Sequence, residues 1–178
     1  MNHVDLQVNG YAGVDFNGNE LPTEQVQHAC DVMRSHDVDR CLATVITDSM
    51  DAMCARISRI ADAIEADIAI AKTMAGIHVE GPFLSPLDGY AGAHPKSAIR
   101  AATIEDAGRL LDAGRGHVRL VTLAPEQDPD GVTTRWLHDR GIIVAAGHTN
   151  ASLDELDVAI DAGLSMFTHL GNACPSQV

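Results

Sequence analysis

The sequence has 178 residues, of which 46% are hydrophobic, 21% charged and 3% aromatic, and its formal net charge is −13. This composition indicates a globular domain with an aliphatic core and excludes a disordered or collagen-like chain. The acidic charge argues against nucleic acids and anionic membranes as partners. A complete (β/α)8 barrel needs at least about 200 residues, so this sequence is short for one.

Short apolar runs typical of β-strands alternate with helical patterns along the chain. The predicted strands are 4–8, 41–47, 75–80, 117–123, 142–146 and 165–168. The five predicted helices begin near Pro22, after Asp48 or Ser49, after Thr103, near Gly131 and after Ser152. Apolar strands separated by helices are typical of a parallel sheet covered by helices.

The last predicted helix has a clear start signal. Ser152 and Glu155 match the spacing of a capping box, in which each residue bonds the main chain of the other. Leu153, Leu156 and Ile160 follow at helical spacing, and we predict that they form the buried face.

Polar residues stand at the end of every predicted strand, and at three of these ends they include a potential metal ligand. Glu80 ends the third strand, His148 follows the fifth, and His169 follows the sixth. The carboxyl ends of parallel strands meet at the same edge of a sheet, so we expect these side chains to converge. A carboxylate and two imidazoles are a normal ligand set for a catalytic transition metal.

Other interpretations of these residues stay open at this point. A single histidine at a strand end is more often a hydrogen-bonded structural residue, and Glu80 could be a buried carboxylate paired with an arginine. His78 lies deeper on the same strand face as Glu80, which favours a supporting role behind the ligands. His94, in the long loop after the third strand, is either a surface residue or a substrate contact.

Targeting signals and cysteine pairs are not evident in the sequence. The N-terminus lacks the basic and apolar regions of a signal peptide, and no 18-residue apolar run predicts a spanning helix. The four cysteines are Cys30, Cys41, Cys54 and Cys174, and none forms a CxxC motif. We therefore expect a cytoplasmic protein with reduced thiols.

Six motifs, in chain order, carry a family resemblance. They are LQVNGYAGVDFN, GIHVEGPFLSP, GAHP, VTLAPE, AAGHTNAS and THLGNACP, of which HVEGPFLSP and AGHTNA are the most specific. They resemble the N-acetylglucosamine-6-phosphate deacetylases of the amidohydrolase superfamily. The resemblance implies an incomplete TIM-type (β/α)8 barrel with about six βα units. It also implies hydrolysis of the acetamide of N-acetylglucosamine 6-phosphate to glucosamine 6-phosphate and acetate.

The resemblance also implies roles for individual residues. The residues that it assigns to one divalent metal ion, Zn or Fe, are Glu80, His148 and His169. Those that it assigns to the substrate, an amino-sugar phosphate, are His94, Asn172 and Ala173. Gln7 and Asn9 stand where many amidohydrolases have an HxH pair. Because amides are poor substitutes for imidazoles, we expect one metal ion rather than two.

Parts of the family's pattern have no counterpart in the 178 residues. They are the small β-sandwich domain, the last barrel strands and the acid/base aspartate, which would come after Val178. We therefore expect a single partial barrel domain over 1–178, with hydrolysis impaired in this chain alone. In the implied mechanism, the metal polarises the amide carbonyl and lowers the pKa of its bound water to about 7. A carboxylate then carries the water's proton to the leaving amine.

Three alternatives to this function remain open. The chain could be a non-catalytic metal-binding fragment, an assembly partner for a protein that supplies further strands, or an amidohydrolase for another amide. Full-length members of the family are expected to form homodimers, and neither nucleic acid nor membrane is an expected partner.

Overall fold

The computed structural model describes residues 3–171. Its strands are β1 (His3–Val8), β2 (Gly10–Tyr11), β3 (Val14–Asp15), β4 (Val38–Ile46), β5 (Met74–Glu80), β6 (Val118–Leu123), β7 (Ile143–Ala146) and β8 (Leu164–Phe167). Its α-helices are α1 (Thr23–Ser35), α2 (Met50–Ala66), α3 (Ile68–Thr73), α4 (Ile104–Ala113), α5 (Val132–His138) and α6 (Leu153–Asp161). A short 3-10 helix covers Pro125–Gln127. No helix in the described part of the chain combines the length and apolar character needed to cross a bilayer.

Six of the strands form one sheet in the order β1-β4-β5-β6-β7-β8. The pairs β1–β4, β6–β7 and β7–β8 are parallel. Each strand of this sheet lies beside the one that precedes it in the chain, which is the strand order of a TIM-type barrel wall. The prediction of six parallel strands separated by helices is confirmed.

The chain divides into two compact units. The first contains residues up to 46, together with 51–79 and 109–119. The apolar stripes of α1 and α2 are buried in it, as their spacing predicts, through Val26, Cys30, Met33, Met53, Ile57 and Ile60. By contrast, β1 is mostly exposed, with Val4 at 63% and Leu6 at 40%. This strand stands at the end of the sheet order, so fewer neighbours cover it.

The second unit contains 47–50, 80–108 and the chain from 120 onward. Its helix α6 begins at the predicted capping box, and both reciprocal bonds between Ser152 and Glu155 are present. The predicted buried face of this helix is wrong, because Leu153 and Ile160 are 75% and 54% exposed. The helix buries Ala159 instead.

Close packing explains which face of α6 is buried. A Cβ built on Gly131 would lie 2.7 Å from the Cβ of Ala162 and 3.4 Å from the carbonyl oxygen of Val158. The backbone before α5 therefore approaches α6 so closely that only small residues fit at the contact.

The sequence patterns missed the shortest elements. These are the β2–β3 hairpin, the 3-10 helix and α3. Asp67 caps α3 by accepting a hydrogen bond from the main-chain nitrogen of Ala69, at 2.6 Å. Elements of two or three residues show no apolar periodicity, and the six residues of α3 cover less than two helical turns.

Candidate metal centre

Glu80 is the last residue of β5, and its side chain is 2% exposed. Gly81 follows with φ +85°, a conformation that glycine adopts without strain. A Cβ on Gly81 would lie 2.0 Å from Oγ1 of Thr47. Glycine is therefore required here, because it lets the chain turn at the strand end while the Thr47 hydroxyl stays close.

His148 and His169 occupy equivalent places after β7 and β8. The ladder of the sheet continues to the residue before each histidine, since Gly147 N donates to Leu123 O at 3.1 Å and Thr168 N donates to Ala146 O at 2.8 Å. Both histidines then adopt positive φ, +50° for His148 and +35° for His169. Such backbone costs on the order of 1–3 kcal/mol and is concentrated at functional sites.

The three predicted ligands converge. Nε2 of His169 lies 2.9 Å and Nε2 of His148 lies 3.3 Å from the same oxygen, Oε1 of Glu80. One potential ligand atom from each residue lies within 4.8 Å of the others, so the group could hold a metal ion. Glu80 is thus paired with imidazoles, where the alternative expectation was an arginine.

The orientation of the His148 ring fits a cation. Its Nδ1 lies 2.8 Å from the carbonyl oxygen of Tyr90, and a carbonyl only accepts, so Nδ1 carries a proton. In the neutral ring, Nε2 then presents a lone pair to the Glu80 carboxylate, which is also an acceptor. Two acceptors 3.3 Å apart need a cation or a proton between them. Metal-bound histidines typically donate their other ring N–H to a carbonyl in this way.

The pKa of His148 agrees with this arrangement. Burial lowers it, but the hydrogen bonds to Glu80 and to the Tyr90 carbonyl outweigh burial, so the pKa is raised above its ordinary value. The site thus favours positive charge on or beside this ring.

His94 is buried beside the three ligands, with 7% of its surface exposed, so it is not a surface residue. Its ring centroid lies 4.4 Å from that of His148, and its Nε2 lies 4.0 Å from Oε2 of Glu80. Burial and the neighbouring His148 lower its pKa to about 4, against an opposing effect of Glu80. His94 is therefore neutral at pH 7.

Of the remaining predicted residues, three belong to the first unit and two lie outside the described range. His78 is buried in the first unit, where its Nδ1 lies 3.1 Å from the carbonyl oxygen of Leu6. Gln7 and Asn9 also belong to the first unit. Asn172 and Ala173 lie outside the described residues.

Sequence reasoning assigned no role to three residues that support the site. Thr47 contacts His94, with Oγ1 2.8 Å from Nδ1, and Tyr90 supplies the carbonyl that orients His148. Glu126 accepts hydrogen bonds from the hydroxyl of Thr149 and the main-chain nitrogen of Asn150, which follow His148. Thr47 and Glu126 are polar residues at strand ends, which is a usable signal. A main-chain carbonyl such as that of Tyr90 gives none.

The chain is similar to known deacetylases along nearly all of its length. It is 37% identical over 171 residues to N-acetylgalactosamine-6-phosphate deacetylase of Shewanella sp. (strain ANA-3), covering 95% of this chain. It is 34% identical over 172 residues, or 96% of this chain, to N-acetylglucosamine-6-phosphate deacetylase of Bacillus subtilis (strain 168). No protein-family model matches the chain.

Solved structures agree with these sequence matches. The crystal structure of N-acetyl-D-glucosamine-6-phosphate deacetylase from Mycobacterium smegmatis superposes with a TM-score of 0.84 at 34% identity, covering 97% of this chain and 43% of that one. A mutant of that enzyme has been solved in complex with N-acetyl-D-glucosamine-6-phosphate. The fold and the resemblance inferred from the motifs are confirmed. The chain spans about two-fifths of the length of the curated relatives, 41% and 42% for the two above.

Proposed function

We propose that this homologue of the N-acetylglucosamine- and N-acetylgalactosamine-6-phosphate deacetylases provides the metal-binding part of a metal-dependent hydrolase. Its reaction would add water to the acetamide of an N-acetylated amino-sugar 6-phosphate and give acetate and the free amine. The observation that carries the proposal is the convergence of Glu80, His148 and His169 at the carboxyl ends of three parallel strands.

The chemistry of the side chains suits one divalent ion, Zn²⁺ or Fe²⁺. Glu80 offers a buried carboxylate, and His148 offers a lone pair whose direction is fixed by the Tyr90 carbonyl. When bound, such an ion polarises the carbonyl that is to be hydrolysed. His94 is neutral and adjoins the same site, so it is the candidate contact for the substrate.

The identity of the sugar is part of the proposal. The complex of the mycobacterial relative supports N-acetylglucosamine 6-phosphate, whereas the Shewanella relative is named for the galactosamine compound. These two substrates differ in the configuration of one hydroxyl group, so both are assayed. Cytoplasmic location, homodimeric assembly and the substrate contacts of Asn172 and Ala173 belong to the same proposal.

Metal content of the purified chain tests the site directly. We expect about one Zn²⁺ per chain after dialysis, measured by elemental analysis, because three ligand atoms converge on one point. Glu80→Gln, His148→Asn and His169→Asn should each weaken binding at least tenfold. His28→Asn, an exposed histidine on α1, is the matched control and should leave binding unchanged. Equal metal content in all five proteins would contradict the assigned ligands.

Turnover tests the reaction. Because the chain spans two-fifths of its relatives, we would assay it alone and as a chimera in which it replaces the matching 172-residue segment of the Bacillus subtilis enzyme. We expect the metal-loaded chimera to release acetate from at least one of the two sugar phosphates and the Glu80→Gln chimera to release none. A folded, metal-loaded chimera that releases no acetate from either compound would overturn the deacetylase assignment. Two alternatives would then remain: a non-catalytic metal site, or an enzyme that hydrolyses another amide.

A further inference from the structure

We propose that Thr47 is a positioning residue for His94: its hydroxyl accepts a hydrogen bond from Nδ1–H of His94 while donating its own proton to the main-chain carbonyl of Glu80. The inference rests on the proposed function in that His94 acts beside the metal ligands. Beyond the proposed function, the inference specifies which tautomer His94 adopts and names Thr47 as the group that selects it.

The argument begins with the hydrogen bonds of the Thr47 hydroxyl. Oγ1 lies 3.2 Å from the carbonyl oxygen of Glu80 and 2.8 Å from Nδ1 of His94. A hydroxyl has one proton, and a carbonyl oxygen can only accept. If the proton goes to Glu80, the bond to His94 must be donated by the ring. The neutral ring then carries its proton on Nδ1 and a lone pair on Nε2.

Packing holds the Thr47 hydroxyl in this place. Thr47 is 2% exposed, so its hydroxyl must satisfy its hydrogen bonds within the protein. Gly81 leaves the necessary room, since any Cβ at that position would lie 2.0 Å from Oγ1. The same residue therefore contacts the main chain of one metal ligand and the ring of His94.

This arrangement decides what His94 can do. Its Nε2 lone pair lies 4.0 Å from Oε2 of Glu80 and faces the cluster of ligands. As an acceptor, Nε2 can take a hydrogen bond from water or from a substrate hydroxyl. The opposite tautomer would place a donor there and would suit a carbonyl oxygen instead. Thr47 thus determines whether Nε2 of His94 accepts or donates a hydrogen bond toward the substrate.

The first test is the tautomer itself. Two-bond ¹H–¹⁵N correlation spectra of histidine-labelled chain distinguish Nδ1–H from Nε2–H rings, and His94→Gln assigns the signal. We expect Nδ1–H for His94 in the unmodified chain and in Thr47→Ser, and a mixed or reversed pattern in Thr47→Val, which keeps the side chain's shape. An Nε2–H ring in the unmodified chain would overturn the proposal without any variant having to fold.

The second test separates positioning from general support of the fold. In the metal-loaded chimera, Thr47→Val should lower kcat about tenfold with unchanged Zn²⁺ content, and Thr47→Ser should restore most of it. Loss of Zn²⁺ in Thr47→Val, or failure of Thr47→Ser to recover kcat, would show a structural role and contradict the proposal. The spectra require no turnover, so failure of the proposed function would leave the tautomer test decisive.

Discussion

At the scale of single residues, the two histidines of the proposed metal site share an uncommon backbone conformation. In the described part of the chain, five residues other than glycine have positive φ: Ala12, Asp37, Arg115, His148 and His169. None of the five is β-branched. The left-handed conformation of His148 is supported by its ring, which bonds the Tyr90 carbonyl and lies against Gly92. The side-chain contacts therefore offset a local backbone cost, as expected where a ring must be aimed at a ligand.

Gly92→Ala should weaken metal binding by displacing this ring. A Cβ on Gly92 would lie 3.2 Å from Cε1 and 3.4 Å from Nδ1 of His148, and its φ of +56° already disfavours alanine. We expect Zn²⁺ affinity to fall several-fold, measured by competition with a chelating dye. The free energy of unfolding should fall by about 1–2 kcal/mol, the usual cost of a left-handed alanine.

A matched control lies three residues away. Gly89 has φ +88°, but a Cβ there would contact nothing within 4 Å. Gly89→Ala should therefore show the backbone cost without the loss of metal affinity. Equal affinities for the two variants would mean that the contact between Gly92 and His148 does not orient the ring.

The sequence predicted the three residues of the proposed metal site but not those that orient them. Each of the three, Glu80, His148 and His169, could be predicted because it stands at the end of an apolar run. Parallel strands bring such ends together. Thr47 contacts His94, and the Tyr90 carbonyl contacts His148. Both contacts depend on the path of the long loop after β5. That path depends on turns at individual glycines, which no periodic pattern encodes.

At the scale of elements, α6 shows which local signals are reliable. Its capping box was predictable because it depends on two side chains three residues apart and their own main chain. Its buried face was not, because close approach to the backbone at Gly131 depends on packing between separate segments; the helix buries Ala159 rather than the larger residues predicted. Local hydrogen bonds can thus be predicted from the sequence, whereas packing against a segment distant in the chain cannot.

Ser152→Ala should destabilise the second unit through this cap. Loss of an N-cap hydroxyl costs about 1 kcal/mol, which denaturant unfolding would detect. Hydrogen bonds from the main chain and the hydroxyl of Ser152 lower the pKa of Glu155. That pKa should therefore rise in Ser152→Ala, measured by NMR titration. The main-chain bond survives in this variant, so an unchanged Glu155 pKa would show that the bond between the Ser152 hydroxyl and the Glu155 carboxylate does not form in solution.

At the scale of the whole molecule, strand order was more predictable than burial at the ends of the sheet. Alternation of apolar runs with helices fixed the number and direction of the six strands. The sequence predicted a sheet covered by helices, whereas Val4 and Leu6 of β1 are exposed because that strand ends the sheet order. Apolar side chains make a strand suitable for burial, but neighbouring elements decide whether the strand is buried.

Metal binding should appear as stability of the whole chain. An ion that binds only the folded state stabilises it by about 2.7 kcal/mol at a hundredfold excess over Kd. We therefore expect Zn²⁺ to raise the Tm of the chain, a chelator to reverse the rise, and Glu80→Gln to reduce it. Because the imidazoles must be deprotonated to bind, the rise should shrink as the pH falls below neutrality. A rise of equal size in Glu80→Gln would place the ion on other histidines and remove the basis of the proposed site.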